Sequence, residues 1–196
     1  MLLFTFLLQF LTIFISTESP PPAAPASLYL STDWGQNWTP FAQGLPEQAS
    51  LSKLVENEGK LYLATDYQGV YSLNRGSSQW EARNNGLPQN LDINSLAVRG
   101  YFLAIGTYHG KVFTSIDGGR HWKDPIFNFL GGSVRALHFH EGWLIAGTDN
   151  GIYRSADDGM SWQQTGDLIQ VNDITCFNGR LYAARRDGIL ASDDAG

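Results

Sequence analysis

The chain has 196 residues, of which 43% are hydrophobic and 13% aromatic, with 21 glycines and a net charge of −6. This composition excludes a disordered chain and is typical of a packed, glycine-rich β protein. The acidic balance and the lack of a basic block argue against nucleic acid and against an anionic membrane surface as partners.

The chain begins with an apolar segment that is typical of a signal peptide. Residues 2–15 are almost wholly apolar, and residues 16–27 are rich in Pro, Ala and Ser. The apolar run is shorter than the about 20 residues of a membrane span, and Ala24-Pro25-Ala26 resembles a cleavage site. We therefore expect residues 1–26 to be a signal peptide and linker, and the protein to be secreted, periplasmic or at the cell surface. If this signal peptide is cleaved, the protein has no membrane span. Because no Lys or Arg precedes the apolar run, the alternative is that the run is kept as an uncleaved anchor.

From residue 27 onward, short runs rich in aromatic and β-branched residues alternate with glycine-containing turns, which predicts β-strands. Units of four strands recur about every 40 residues, the period of a β-propeller blade. The fold prediction is all-β: a β-propeller of four-stranded antiparallel blades within 27–196, incomplete, with three full and two partial blades. An alternative is that the two ends pair to close four blades. The blades are expected near 27–42, 51–83, 94–125, 134–165 and 171–196.

A pattern S-x-D-x-G stands four times after a third strand, and in three copies a Trp follows the Gly by three residues. Such Ser and Asp side chains accept backbone hydrogen bonds in tight turns, Gly supplies a positive φ, and the Trp is expected to cover the turn. A fifth, degraded copy is assigned to Ser72, Asn74, Gly76 and Trp80. The residues with this predicted structural role are Ser31, Asp33, Gly35, Trp38, Ser115, Asp117, Gly119, Trp122, Ser155, Asp157, Gly159, Trp162, Ser192, Asp194 and Gly196.

The repeated motif resembles the Asp box, or BNR repeat, of sialidase-like β-propellers, from about Ser27 to the end of the chain. The motif recurs in sialidases, sortilin-type receptors, some endoglucanases and a photosystem II assembly factor. True sialidases also need an arginine trio and an Arg-Ile-Pro motif, and the latter is missing here. The chain therefore resembles the assembly-factor-like and sortilin-like propellers more than the true sialidases.

The resemblance implies a ligand site on the face opposite the Asp boxes. That face would carry the turns between second and third strands and the connections 84–91 and 127–133 between blades. Tyr, Asn, Asp and Arg on a rigid rim suit sugar or peptide binding, although ordinary polar hairpin turns are the alternative. The candidate binding residues are Asp66, Tyr67, Gln68, Tyr108, His109, Asp149, Asn150, Arg186 and Asp187.

The expected function is an exported, non-catalytic binding or assembly module that presents its inter-blade loops to a protein or glycan. No catalytic residue is assigned. His138 and His140 lie two apart on one strand, but no third ligand is evident, so neither a metal nor a cofactor is expected. The alternative is a glycoside hydrolase or sialidase-like enzyme fragment, since such chemistry needs only two acids at a defined separation.

Overall fold

The computed structural model describes residues 12–15, 28–47, 49–124 and 132–193, and only the backbone of residues 12–15. These residues form seventeen β-strands and no helix. The strands are β1 (Thr12–Ile15), β2 (Leu28–Ser31), β3 (Thr39–Pro40), β4 (Ser50–Asn57), β5 (Lys60–Asp66), β6 (Gly69–Leu73), β7 (Glu81–Ala82), β8 (Ile93–Arg99), β9 (Phe102–Thr107), β10 (Val112–Ser115), β11 (Val134–His140), β12 (Trp143–Thr148), β13 (Gly151–Ser155), β14 (Gln163–Thr165), β15 (Val171–Phe177), β16 (Arg180–Arg185) and β17 (Gly188–Ser192).

The strands form five antiparallel sheets, here called blades 1 to 5, in which each strand pairs with the next one in sequence. Blade 2 (β4–β7) and blade 4 (β11–β14) have four strands. Blade 3 (β8–β10) has three, with a bridge between Thr114 and Lys123 where a fourth would lie. Blade 1 (β1–β3) and blade 5 (β15–β17) also have three. The prediction of an all-β, partial β-propeller with four-stranded antiparallel blades is confirmed.

Successive blades pack face to face, and their first strands β4, β8, β11 and β15 contact one another in that order. We call the face of a blade that contacts the preceding blade its near face, and the opposite face its far face. Each pair of neighbouring blades shares one cluster of buried apolar side chains. Between blades 2 and 3, for example, Tyr62 and Ala64 of the far face meet Leu103, Ile105 and Phe113 of the near face.

A β-bulge stands at the same place in each of the four first strands. In β8, Ile93 and Leu96 both join the core between blades 2 and 3, although residues three apart in a regular strand point to opposite faces. The extra residue of a bulge removes this conflict. The residues without a partner in the register are Ser52, Asn94, Arg135 and Asn172.

The first apolar residue of each such strand fills a space left by a small residue in the preceding blade. A Cβ on Gly147 of β12 would lie only 2.6 Å from Cγ1 of Val171, and a Cβ on Gly106 of β9 would overlap Val134. Blade 2 carries Ala64 at the corresponding position, next to Ile93. These small residues allow neighbouring first strands to approach closely.

The tryptophans of the S-x-D-x-G turns occupy two different environments. Nε1 of Trp38 and of Trp162 donates to the carbonyl of Gly35 and of Gly159, 3.1 Å away in both cases, so each ring covers its own turn as predicted. The prediction is wrong for Trp122, because its Nε1 donates to the carbonyl of Arg83 in blade 2, at 2.7 Å.

The sequence preceding the blade explains this difference. The connection that precedes the blade of Trp122 contains Gly86-Leu87-Pro88, and the backbone amide of Trp122 donates to the carbonyl of Asn85 at 2.9 Å. Gly86 has a φ of +91°, and a Cβ there would lie 2.6 Å from the carbonyl oxygen of Trp122. Trp80 makes the same contacts to the earlier connection through Gln43 and the carbonyl of Phe41. Where a connection contains G-L-P, the tryptophan of the blade that follows therefore donates hydrogen bonds to that connection.

The sequence analysis places the degraded copy of the turn motif one residue too early, at Ser72 instead of Leu73. In the pairing between second and third strands, Leu73 takes the position that Ser115 takes in blade 3. Trp80 follows Leu73 by seven residues, as Trp122 follows Ser115. Leu73 and Arg75 therefore replace the serine and aspartate in blade 2.

Thr12–Ile15 lie inside the segment predicted to be a signal peptide. They pair with Leu28–Ser31 as the second strand of blade 1. The rest of residues 1–26 lies outside the described part of the chain. In that described part, no helix has the length and apolar character needed to cross a membrane.

Substituting the two kinds of tryptophan separates their contributions. We expect Trp122→Phe to lower the free energy of unfolding by about 1–3 kcal/mol, because the Arg83 carbonyl loses its donor in a buried place. Trp38→Phe is the matched control and should cost less than about 1 kcal/mol, because water can reach the Gly35 carbonyl. Urea denaturation of both variants measures the difference. Equal losses would contradict the distinction.

Candidate binding face

The turns between second and third strands lie beside the connections between blades, on one face that we call the turn face. A backbone amide in each turn donates to a carbonyl just before or at the entry to a first strand. The pairs are Tyr67 to Leu91 (3.1 Å), Tyr108 to Asp92 (3.2 Å), Asp149 to Ser133 (3.2 Å) and Arg186 to Gln170 (3.1 Å). The bond is equivalent in blades 3, 4 and 5, where the acceptor precedes the first strand of the same blade, whereas Tyr67 of blade 2 bonds to the connection that enters blade 3.

The S-x-D-x-G turns lie on the opposite face, beside the turns between first and second strands. The amide of Gly118 donates to the carbonyl of Tyr101 at 2.8 Å within blade 3. Arg99 of blade 3 pairs with Asp158 of blade 4 at 3.3 Å. Asp117 and its equivalents are therefore remote from the turn face.

Blades 2 and 3 bring carboxylates and aromatic rings together on the turn face. Asp66 and Asp92 form an isolated antiparallel bridge between the two blades. Tyr67 and Tyr108 are each 59% exposed. The ring of His109 meets the Tyr108 ring edge to face at 5.6 Å, and its Nε2 lies 3.8 Å from Asp92 Oδ2. We call these five residues the tyrosine cluster.

Neighbouring residues fix parts of this cluster. The Ser50 hydroxyl donates to Asp66 Oδ2 at 2.6 Å. Gln68 belongs to the same turn as Tyr67, but its Oε1 is buried without a hydrogen-bond partner. Its carbonyl accepts from Asn84 at 3.3 Å and from the Tyr71 hydroxyl at 3.1 Å. Gln68 therefore stabilises the turn through its backbone carbonyl, whereas the side chain of Tyr67 is exposed to solvent.

Blade 4 places Asp149 in an ion pair. Its Oδ1 accepts from Arg135 Nε at 2.5 Å, and its Oδ2 accepts from the Ser133 amide at 2.9 Å. Burial raises the pKa of Asp149, but the hydrogen bonds from Ser133 and Arg135 outweigh it and hold the pKa below its ordinary value. Asp149 is therefore charged at neutral pH, and Asn150 beside it donates its amide to Thr148 Oγ1 at 3.0 Å.

Blade 5 presents a second ion pair. Arg185 holds Asp187 with two hydrogen bonds of 2.9 and 2.6 Å, and its hydrogen bonding lowers the pKa of Asp187. Asp167 of the preceding connection lies 3.9 Å from Arg185. Arg186 is exposed at the tip of the turn. Of the nine candidate binding residues, four belong to the tyrosine cluster and Gln68 lies beneath it. The other four lie on blades 4 and 5, where Asp149 and Asp187 are ion-paired.

Sequence reasoning missed Asp92, Arg135 and Arg185, which make the contacts that orient the predicted residues. Arg135 is the bulge residue of its strand and directly follows an apolar residue. A signal that could have identified Arg135 was present in the sequence. At the start of each first strand an apolar residue is followed by a polar one, and a second apolar residue stands three positions after the first. That pattern predicts a bulge, and bulges re-aim side chains.

The three described S-x-D-x-G turns share one hydrogen-bond network. In the turn of blade 4, Gly159 donates its amide to Ser155 Oγ at 2.8 Å, and Ser155 donates to Asp157 Oδ1 at 2.7 Å. Ser161 donates its amide to Oδ1 at 2.8 Å and its hydroxyl to Oδ2 at 2.5 Å. Asn37 makes the corresponding backbone and side-chain contacts to Asp33 in blade 1, and His121 makes them to Asp117 in blade 3.

These bonds stabilise the ionised aspartates. The hydrogen bonds from Ser161 and Ser155 lower the pKa of Asp157 to about 2. In blade 3, burial raises the pKa of Asp117, but hydrogen bonds from His121 and Ser115 outweigh it and bring the value to about 2. Of the fourth copy, Asp194 and Gly196 lie outside the described residues.

In the described ranges, no three His, Cys, Asp or Glu side chains are grouped so that they could hold a metal ion. Burial and the neighbouring His140 lower the pKa of His138.

Comparisons with known proteins place the chain among propellers of several kinds. No family model matches it. An oligoxyloglucan-reducing end-specific xyloglucanase of Neosartorya fischeri is 28% identical over 167 residues, which cover 75% of this chain and 20% of that protein.

Three solved structures resemble the fold. The extracellular domain of BT4673 from B. thetaiotaomicron has a TM-score of 0.67 and 23% identity, over 84% of this chain and 24% of that one. YCF48 bound to D1 peptide has a TM-score of 0.61 and 19% identity, over 76% and 51%. An ancestral GH74 enzyme has a TM-score of 0.61 and 18% identity, over 81% and 24%. The chain thus spans between a fifth and about half of the length of these proteins, and the structural likenesses show the fold alone.

The depressed pKa of Asp157 leads to a pH-dependent prediction. A carboxylate whose folded pKa is about 2, against an ordinary 3.8, contributes stability above pH 3.8 that is lost as the pH falls through 2. We therefore expect Asp157→Asn to destabilise the chain at pH 7, and the difference from the unsubstituted chain to shrink between about pH 4 and pH 2. Denaturant unfolding across that range measures it.

The matched control is Asp158→Asn, because Asp158 is adjacent and makes an exposed ion pair with Arg99. This substitution should change the free energy of unfolding by less than about 1 kcal/mol at either pH. A loss for Asp157→Asn that stays constant down to pH 2 would show that the turn does not depend on the charge of the aspartate.

Proposed function

We propose that the chain is a non-catalytic β-propeller module, exported from the cytoplasm, that binds a protein or glycan partner through its turn face. The observation that carries the proposal is that a backbone hydrogen bond fixes each of four turns: the turns of blades 3, 4 and 5 bond to the entry of their own first strand, and the turn of blade 2 bonds to the connection that enters blade 3. Turns fixed in this way present their side chains on a rigid scaffold, which limits the entropy lost on binding.

The side chains of the tyrosine cluster suit such a partner. Tyr67 and Tyr108 expose large ring surfaces at little conformational cost, and tyrosine is enriched where proteins bind partners. Asp66 and Asp92 supply acceptors for the hydroxyl groups of a sugar or the amides of a peptide. The acidic balance of the chain fits neither nucleic acid nor an anionic surface.

The compartment and the family are part of the proposal. The hydrogen bonds of Ser31, Asp33 and Gly35, repeated in blades 3 and 4, support the assignment of these turns as Asp boxes. The apolar N-terminal run supports export. Among proteins of this fold, YCF48 was solved with a peptide bound, and the BT4673 domain is extracellular. The first fact supports a binding propeller, and the second supports a place outside the cytoplasm.

The proposal is tested by selecting ligands from a random-peptide display library and from an array of plant and bacterial glycans. We expect the double variant Tyr67→Ala/Tyr108→Ala to lose at least about tenfold in affinity, or ~1.4 kcal/mol, for a selected ligand. The double variant Trp34→Ala/Tyr101→Ala removes two exposed aromatic rings from the opposite face and should bind normally. The reverse pattern would move the binding surface to the face of the S-x-D-x-G turns.

The alternative function is glycoside hydrolysis, and the similarity to the xyloglucanase favours it. Asp66 and Asp92 are paired across a β-bridge, which places Cβ atoms about 5 Å apart. Retaining glycosidases hold their two carboxyl groups about 5–5.5 Å apart. The tyrosine cluster therefore brings two acids close enough for this chemistry.

Incubation of the chain with xyloglucan oligosaccharides, followed by measurement of new reducing ends, decides between the two functions. The binding module should release none above the background of the double variant Asp66→Asn/Asp92→Asn. Release that this variant abolishes would establish the enzyme instead.

A further inference from the structure

Two carboxylates stand opposite each other where blades 2 and 3 meet on the turn face. Asp66 and Asp92 are partners in an antiparallel bridge, and like charges directly opposite one another destabilise a pair of strands. The equivalent positions between the later blades carry at most one acid. They are Tyr108 with Ser133 between blades 3 and 4, and Asp149 with Gln170 between blades 4 and 5. A local conflict of this kind, confined to one interface, indicates a functional site.

The other carboxylates of the turn face are compensated within the chain. Asp149 is held by Arg135 at 2.5 Å, and Asp187 is held by Arg185 at 2.6 Å. Their side chains are 32 and 49% exposed, whereas that of Asp92 is only 21% exposed. Of these three carboxylates, Asp92 is therefore the one that water reaches least.

Within the described residues, neither Asp66 nor Asp92 has a lysine or arginine partner. Asp66 accepts a hydrogen bond from the uncharged hydroxyl of Ser50. Asp92 has the ring of His109, whose Nε2 lies 3.8 Å from Oδ2, beyond the range of a hydrogen bond. The carboxylate with the least access to water thus has the weakest partner, and a cation supplied by a ligand would compensate both acids.

Two tyrosines accompany the pair of carboxylates. Tyr67 directly follows Asp66 in blade 2, and the amide of Tyr108 in blade 3 donates to the carbonyl of Asp92 at 3.2 Å, so each blade contributes one exposed ring. The face of an aromatic ring attracts a cation. An arginine can stack on such a ring while its guanidinium forms hydrogen bonds with carboxylates. The cluster therefore combines acceptors for a positive charge with surfaces for its apolar stem.

We propose that the tyrosine cluster binds a basic side chain of a peptide partner, the guanidinium of an arginine or the ammonium of a lysine. The cation lies between Asp66 and Asp92, and Tyr67 and Tyr108 contact its sides. His109 marks the direction from which a cation reaches Asp92, and its side chain, 77% exposed, is free to move aside. This inference rests on the proposed binding function of the turn face and narrows the partner to a basic peptide.

Binding of the full chain to four pools of hexapeptides with blocked ends tests the proposal. The pools share randomised, uncharged flanking positions and differ at one fixed position, which is Arg, Lys, norleucine or Glu. We expect the Arg and Lys pools to bind at least about tenfold more tightly than the norleucine pool, because the latter forms no charge-assisted hydrogen bond and no cation–π contact. The Glu pool should bind most weakly.

A pair of double variants separates local contact from long-range attraction. Asp66→Asn/Asp92→Asn should bind the Arg pool no better than the norleucine pool. Glu58→Gln/Asp158→Asn is the matched control, because it removes the same two charges from exposed turns of the opposite face. This control should keep the tenfold preference for the Arg pool. If the first variant does not fold, the preference of the unsubstituted chain and of the control among the four pools decides by itself.

Three results would overturn the proposal. They are an unsubstituted chain that binds none of the pools, equal binding of the Arg and norleucine pools, and an equal loss of preference in both double variants. Failure of the broader function has a different outcome. Norleucine binding that Tyr67→Ala/Tyr108→Ala abolishes would leave the turn face as the binding surface and remove only its preference for a cation. Binding that this variant leaves intact would remove both.

Discussion

The close contact between the first strand of one blade and the second strand of the blade before it is the constraint on which the structure depends. An apolar residue such as Val171 can reach the preceding blade only because Gly147 leaves room for it. The same residue can share a core with Ile174, three positions later, only because a bulge separates them. Buried apolar area of this kind is the main source of folding free energy, and each blade obtains it from its neighbours.

The turn face follows from this packing. Because the first strands are brought together at fixed spacing, their entry points and the turns of the second and third strands come to lie side by side. The bulge that serves the core also turns the polar residue Arg135 toward Asp149. Thus one local irregularity serves the packing of the core and the orientation of charges on the surface. The S-x-D-x-G turns are remote from this face and connect each third strand to the outermost strand of its blade.

Much of the fold was readable from the sequence, because its elements are local. The period of about 40 residues, the strand runs and the turn chemistry of Ser115 and Asp117 depend on neighbours within a few positions. The position of Trp122 was not readable in this way, since it depends on Gly86 in the preceding blade. The register of the degraded turn was also misjudged, because Ser72 imitates a motif position that strand pairing assigns to Leu73.

The sequence by itself determined the all-β class, the repeating unit and the aspartate-centred turns, because hydrogen bonds and glycine conformations of short range specify them. Only the tertiary structure decided which residues of the turn face meet. Asp66 and Asp92 are 26 positions apart along the chain and come from different blades, so no local pattern joins them.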